Sequence, residues 1–381
     1  MTDLENILPM WHKLESSGSD YVLATVVEVD GPSYRKPGAR MLIAADGQRV
    51  GTVSGGCLEA EVAKRAWWLT ESGPRVERYS TAEDDGDMPY GSGCGGILYI
   101  LLERRATASS LLKSLEAAFH ARVPLAIATV LEGAKLANRV FAGPTVQNVE
   151  SETSTGGTAS ILANLAAQAM ERMQSSDQRV MIDGRETRVW VDYRSARPGL
   201  WIFGAGDDAK PLLRLARELG WFVAVADGRR HLATSERFAA ADKVLTLAIA
   251  TLPESGSLLA DDVKSTDAAV LLTHSFEQDS RILALLLARG LPPAYLGVLG
   301  PQRRTREVLV EAARLLGLPN PTQRAEQWLA QMHAPTGLDL GAETPAAIAL
   351  SIIAEIQQTL NNVSALPLRQ VRAVQPVMTR A

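Results

Sequence analysis

Cysteine is nearly absent: Cys57 and Cys94 are the two thiols among 381 residues. Two cysteines cannot supply a four-ligand zinc site, and neither lies in a Cys-x-x-Cys pair. The five histidines, His12, His120, His231, His274 and His333, show no metal-ligand spacing around them, so no resident metal site is read. Strong charge of one sign is missing too. A net charge of −4 argues against a general nucleic-acid binder, which needs a basic surface. No apolar run is long enough to span a bilayer. The first residues, "MTDLENILPMWHKLESSG", begin with acids and lack the basic flank and apolar stretch of a signal peptide. The expectation is a cytoplasmic protein without membrane or nucleic-acid partners, where thiols stay reduced and a Cys57–Cys94 disulfide is disfavoured.

What is present is an ordinary globular balance, 46% hydrophobic and 22% charged. The length exceeds what one core usually serves, so two domains are expected. "DYVLATVVEVDG" reads as a strand, and "MLIAADGQRVGTVSG" as two strands joined at Asp46-Gly47. "CLEAEVAKRAWWLTES" has helical spacing, with Leu58, Val62 and Ala66 on one side. "VMIDGRETRVWVDYR" reads as a hairpin turning at Asp183-Gly184, and the polar "NVESETSTGGTAS" as a loop. After "RSARPG" the pattern changes to alternating strands and helices, which implies a parallel sheet covered on both faces. The fold expected is therefore α/β. A mixed α+β domain covers 1–194, and a Rossmann-like, doubly wound parallel-sheet domain covers 195–381. The second closes with a long amphipathic helix that Thr344 caps and Pro345 opens.

"FGAGDDA" gives Gly204, Gly206 and Ala209 between a strand and a helix, the context a dinucleotide fingerprint requires. The glycines let backbone approach a pyrophosphate, and the helix start attracts its charge. Asp227 ends the next strand, where a ribose-binding acid sits. Arg229 and Arg230 leave NAD against NADP open, and Asp207 and Asp208 would repel a phosphate. The turn serves either a dinucleotide or tight helix–strand packing alone. His274 and Asp279 follow one further strand, and Arg303 and Arg304 another. Open α/β sheets bind ligands at such strand ends, where guanidinium forks can grip phosphate or carboxylate.

Both thiols lie among glycines, in "GTVSGGCLEAEV" and "GSGCGGIL". Cys57 stands where Gly55-Gly56 gives way to a helix, a setting that favours thiolate. The N–H groups at the two glycines can cradle an anion. Cys94 has Gly93 before it and Gly95 and Gly96 after it, which leaves room for a ligand. Glu59 could move a proton. "PSYRKPGAR" adds Arg35, Lys36 and Arg40 for an anionic partner. Thiolates suit molybdenum, copper or sulfur transfer. The plainer alternative is that both are small buried hydrophobes.

"GARMLIAADGQRVGTVSGGCLE", "GCGG", "WIFGAGDDAKPLLRLARELGWFVAVADGR", "LLTH", "YLGVLG" and "APTGLDLGAETPAAIALSIIAEI" together resemble the XdhC/CoxI family of xanthine dehydrogenase accessory proteins. The matches run in order over both regions. The resemblance implies a cofactor-binding maturation factor rather than an enzyme, with no catalytic residue of its own. Such a chaperone binds molybdenum cofactor (molybdopterin), supports its sulfuration with a cysteine desulfurase and inserts it into a xanthine-dehydrogenase-type molybdenum hydroxylase. It often acts as a homodimer. The family's "GGCLE" falls on 55–59, its "GCGG" on 93–96 and its "GAG" on 204–206. Two departures are visible: Asp207 where many relatives have histidine, and "PTGLDLG" for "PIGLDIG", which puts Thr336 and Leu340 in place of isoleucines. The cofactor contacts so expected are Arg35, Gly55, Gly56, Cys57, Glu59, Cys94, Gly95, Gly204, Gly206, Asp227, His274 and Arg303. The rival expectation is an NAD(P)-dependent oxidoreductase using the Rossmann turn. A scaffold that only recruits the two enzymes is a third.

Overall fold

In a computed structural model the chain divides into two compact units, Met1–Arg197 and Pro198–Ala381. The structure describes residues 2–56, 58–80, 96–145, 157–252, 262–288 and 292–372. Cys57, Cys94 and Gly95 lie outside them.

The first unit holds helix α1 (Thr2–Ser16), strands β1 (Tyr21–Asp30), β2 (Arg40–Ala44) and β3 (Arg49–Gly51), helix α2 (Glu59–Leu69), strands β4 (Arg75–Ser80) and β5 (Ile97–Arg104) and helix α3 (Arg105–Ala121). It continues through β6 (Leu125–Val130), β7 (Arg139–Ala142), helix α4 (Gly157–Arg172), β8 (Ser176–Ile182) and β9 (Arg185–Arg194). Two antiparallel sheets result, in the orders β3-β2-β1-β5-β4 and β7-β6-β9-β8. Alternation along the strands sorts their faces. Tyr21 and Leu23 of β1 join Ile7, Leu112 and Phe119 of α1 and α3, while Val22, Ala24 and Val26 join Leu58, Val62 and Ala66 at α2. Strand β6 repeats the device: Leu125 and Ile127 face α1 and α3, and Ala126, Ala128 and Val130 face α4. The expected turns stand at Asp46-Gly47 and at Asp183-Gly184, where both of the latter residues have positive φ. The polar stretch expected as a loop is different at its end. Residues 157–160 open α4, because Thr158 and Ala159 begin the buried stripe that Leu162, Leu165 and Ala166 continue.

The second unit contains β10 (Gly199–Phe203), α5 (Ala209–Glu218), β11 (Phe222–Asp227), β12 (Lys243–Thr246), β13 (Ala268–Leu271), α6 (Phe276–Ala288), β14 (Tyr295–Val298), α7 (Gln302–Leu315), α8 (Pro321–Leu329), α9 (Pro345–Asn361) and α10 (Leu368–Arg372). Its strands are all parallel, in the order β12-β11-β10-β13-β14. That is the doubly wound order of a Rossmann sheet. Both faces are covered, by α6, α7 and α8 on one side and by α5 and α9 on the other, which is why these strands read as unbroken apolar runs. The Thr344 hydroxyl accepts the Ala347 N–H at 3.2 Å, and Pro345 fills the first turn of α9. Among the described residues no helix is long and apolar enough to cross a membrane.

Candidate functional site: two glycine-rich strand ends

One end of the first unit's five-stranded sheet gathers four of the described residues expected to bind cofactor. The registers Thr25↔Arg40, Met41↔Gly51, Asp30↔Ile97 and Ser80↔Ile97 put the ends of β1, β3 and β4 beside the starts of β2 and β5. Residues 31–39 and 52–56 leave from there, and Gly96 leads into β5 there. The bare backbone of the glycine passages lets the first of these segments press on both others. A Cβ on Gly55 would stand 2.8 Å from the Tyr34 ring, and one on Gly96 would stand 2.2 Å from the Pro32 carbonyl oxygen. Arg35, Gly55, Gly56 and Glu59 are thus brought together. Burial lowers the pKa of Arg35, against the raising effect of the Glu59 charge and with the lowering effect of Arg194.

The glycine nest is real, and the chain fills it itself. Gly55 and Gly56 have φ of +102° and +123°, which turn successive N–H groups inward. The Glu59 carboxylate accepts from the N–H groups of Val53 (3.0 Å), Ser54 (2.9 Å), Gly55 (3.0 Å) and Gly56 (2.9 Å), and from the Ser54 hydroxyl (2.7 Å). Burial by itself would raise the Glu59 pKa, but these bonds outweigh it and hold the group at about 2. Glu59 is therefore a fixed carboxylate at neutral pH and cannot serve as the proton donor its position suggested. The nest that was expected to cradle an outside anion instead anchors the start of α2, whose Leu58 N–H is also capped by Ser54 Oγ at 2.9 Å.

The second glycine turn lies at the carboxyl ends of β10, β11 and β13. Gly204, at φ +128°, has no room for a side chain, since a Cβ would lie 2.6 Å from the Leu272 carbonyl group. Asp227, fully buried, accepts the Ala205 N–H at 2.7 Å and the Arg229 N–H at 2.8 Å. The Arg229 guanidinium completes its shell at 3.0 and 2.7 Å. Burial raises its pKa, and the Arg229 and Ala205 bonds more than reverse this. The strand order reverses between β10 and β13, with α5 and α6 leaving to opposite faces. At that crevice His274, exposed and at φ 58°, brings Nε2 within 3.1 Å of Asp208 Oδ2. A Cβ on Gly206 would meet the other Asp208 oxygen at 2.6 Å, so an acid stands over the turn. Asp207 is bound to Lys210 and Arg237 at 2.7 and 3.1 Å.

Of the two arginines beyond β14, Arg304 turns inward. It donates to buried Asp279 at 2.7 Å, and Asp279 accepts the Thr273 hydroxyl at 2.6 Å. Arg303 points away. Its side chain is 90% exposed and pairs along its own helix with Glu307. The structure thus joins Gly204, Gly206, Asp227 and His274 at one sheet end and leaves Arg303 outside. Sequence reasoning also missed what "PTGLDLG" does. Glu355 of α9 accepts from the Gly337 N–H (2.6 Å) and the Tyr295 hydroxyl (2.5 Å), and its other oxygen lies 3.0 Å from His333 Nδ1. Thr336 fits its departure position by bonding the Tyr295 hydroxyl. The signal was Glu355 itself, an acid set between Ile352 and Ile356 on the apolar side of an amphipathic helix. Among the described residues no group of three or more His, Cys, Asp or Glu could hold a metal ion.

A parallel, doubly wound unit preceded by a two-sheet α+β unit defines a two-domain class, and comparison with known proteins gives its family. The XdhC and CoxI family matches at residues 14–80, and the XdhC Rossmann domain at 200–356. A protein of Bacillus subtilis described as a probable subunit of xanthine dehydrogenase is 30% identical over 94% of this chain and 99% of its own. The molybdenum cofactor insertion chaperone PaoD of Escherichia coli is 27% identical over 89% of this chain and 83% of its own. Among solved structures, a xanthine dehydrogenase from Bacillus halodurans matches with a TM-score of 0.70 and 27% identity, over 97% of this chain and all of that one. The chain belongs to the XdhC and CoxI family.

Proposed function

We propose that this protein carries molybdenum cofactor as cargo, supports its sulfuration and inserts it into a xanthine-dehydrogenase-type molybdenum hydroxylase. The observation that carries the reading is likeness along nearly the whole chain to a molybdenum cofactor insertion chaperone, joined to the packing of Gly55 and Gly96 against the 32–34 loop at one sheet end. Arg35 and Lys36 of the 32–40 loop attract the anionic part of the cargo. Cys57 and Cys94 supply soft ligands for molybdenum or for the transferred sulfur, which a cysteine desulfurase provides. The protein works as a homodimer in the cytoplasm. The nest donors already taken by Glu59 support a reading in which the loop cations, rather than Gly55 and Gly56, bind the anion.

A dinucleotide fits the second glycine turn poorly. The acid that would take a ribose is already bonded to Ala205 and Arg229, and Asp208 stands where a pyrophosphate would approach. This favours the carrier over the NAD(P)-dependent oxidoreductase, and no step is assigned to NAD(P).

The test is expression in hosts with and without molybdenum-cofactor synthesis, followed by anaerobic purification and assay of copurified molybdenum and pterin. The carrier reading expects both from the competent host alone; equal amounts from the two hosts would sink it. Activation of a client hydroxylase by Cys57→Ala and Cys94→Ala variants then separates sulfuration from simple scaffolding, because a scaffold keeps full activation.

A further inference from the structure

The first unit has a cavity away from its glycine passages. It measures about 60 Å³, and its walls divide by chemistry. Ile7, Leu115 and Phe119 line it with apolar surface, and Arg40, Arg194 and Arg197 line it with cations.

The cations are not evenly matched. Arg40 and Arg194 each donate at 2.9 Å to the same oxygen, Oδ2 of buried Asp192. Arg197 is paired with Glu5 at 3.8 Å and lies over the Phe119 ring. Arg139, whose charge also acts on Arg40, is matched by buried Glu103. One carboxylate therefore serves two guanidinium groups at the cavity wall. Arg40 is 6% exposed, and its Nε is buried with no hydrogen-bond partner among the described residues. Burial and the neighbouring Arg194 charge push its pKa down to about 10. Arg40 is enclosed while Arg194 keeps 27% of its side chain exposed, so the pair holds one positive charge more than its carboxylate in a half-enclosed setting that an anion would balance. Gly38, at φ +91°, brings the pair together: its carbonyl accepts from both Arg40, at 3.0 Å, and Arg194.

We infer that this cavity binds a short apolar monocarboxylate, its carboxylate on Arg40 and Arg194 and its chain against Ile7, Leu115 and Phe119. A single negative charge balances the surplus, and guanidinium forks suit the planar carboxylate. The apolar wall excludes a wholly polar anion such as inorganic phosphate. The cavity shares Gly38 and Arg40 with the 32–40 loop of the carrier reading, but its probe is not the cargo, so the two readings fail separately.

Hexanoate is the probe, titrated into the full chain by calorimetry and by saturation-transfer NMR, beside hexanol and inorganic phosphate. The expected result is one hexanoate per chain, with weaker binding of hexanol and no displacement by phosphate. Arg194→Leu leaves a balanced Arg40–Asp192 pair and weakens hexanoate by roughly tenfold or more, the effect of one charge-assisted bond. Ala118→Leu narrows the apolar wall and weakens it with both arginines in place, so the proposal stays testable if Arg194→Leu does not fold. No hexanoate binding at about 10 mM overturns the inference. So do hexanol binding as tight as hexanoate, displacement by phosphate, and wild-type affinity in a folded variant.

Discussion

The two glycine turns look alike in sequence and differ in how they are closed. Each follows a strand and opens a helix, and each has a carboxylate of the same chain bonded to its N–H groups. In the first unit the carboxylate is Glu59, the first residue of the helix it anchors, and it takes four backbone N–H groups. In the second it is Asp227 from the neighbouring strand, which takes one turn N–H, that of Ala205, and gives its remaining capacity to Arg229. The difference teaches that a glycine-rich helix start is not by itself an anion site. Its donors must be counted against acids already within the fold.

The comparison is broken most severely at Glu59. Its folded pKa, about 2, lies below its ordinary 4.5, so the stability it supplies is fully present above that ordinary value. It is lost as pH falls from about 4.5 toward 2. A gap of that size corresponds to about 3 kcal/mol. Glu59→Gln is expected to destabilise the first unit by about that amount at pH 7, as judged by urea unfolding. The gap between variant and wild type should narrow below pH 4. A constant gap across that window would mean the nest does not depend on the charge.

Next in size is Gly204→Ala. A Cβ 2.6 Å from the Leu272 carbonyl, on a backbone at φ +128°, forces β10 and the end of β13 apart. About 2–3 kcal/mol is expected from strain and displaced packing. Gly56→Ala, with similar φ but no described neighbour within 4 Å of the added Cβ, should cost less, about 1–2 kcal/mol from backbone strain alone. Thermal unfolding of the two variants gives the order; its reversal would refute the steric account.

Much of this fold is legible in the sequence. Alternation in "DYVLATVV" sets two faces of β1, and unbroken apolar strands after Gly199 announce a sheet covered on both sides. Local signals suffice there because periodicity is a property of neighbours. The fate of the polar groups is less legible. Glu59 stands visibly beside the glycines, but whether it faces a ligand or its own loop depends on the two positive φ angles. Arg40 and Arg194 are joined by Asp192, which lies 152 positions from Arg40, and Tyr295 meets Glu355 across 60. No spacing rule reaches that far. Arg303 and Arg304 are indistinguishable as neighbours, and the helix phase decides which turns inward.

Asp227→Asn sharpens the contrast with a smaller change. An amide keeps one acceptor oxygen, which can still take the Ala205 N–H, but it loses the charge that holds Arg229. About 1–2 kcal/mol is expected, on the order of one charge-assisted bond. Because Asp227 also has its pKa lowered, its contribution is present at neutral pH and fades as pH falls below the ordinary carboxylate range. The Asp227→Asn gap should therefore close in acid as the Glu59→Gln gap does, from a smaller starting value.

His274→Ala is the mildest test and the most informative about the crevice. His274 is largely exposed and contacts Asp208 at the surface, so its removal should change stability by less than about 0.5 kcal/mol. Alanine does not by itself relieve the positive-φ strain of a non-glycine residue, so no gain offsets the lost contact. What changes is the polarity over the turn. Asp208 loses its imidazole partner at the mouth of the crevice. If the second turn receives an anionic part of the cargo, His274→Ala should lower copurified pterin while leaving the melting temperature in place. If Asp208 closes this turn as Glu59 closes the first, pterin content should not move, and the two glycine turns are then alike in function as well as in sequence.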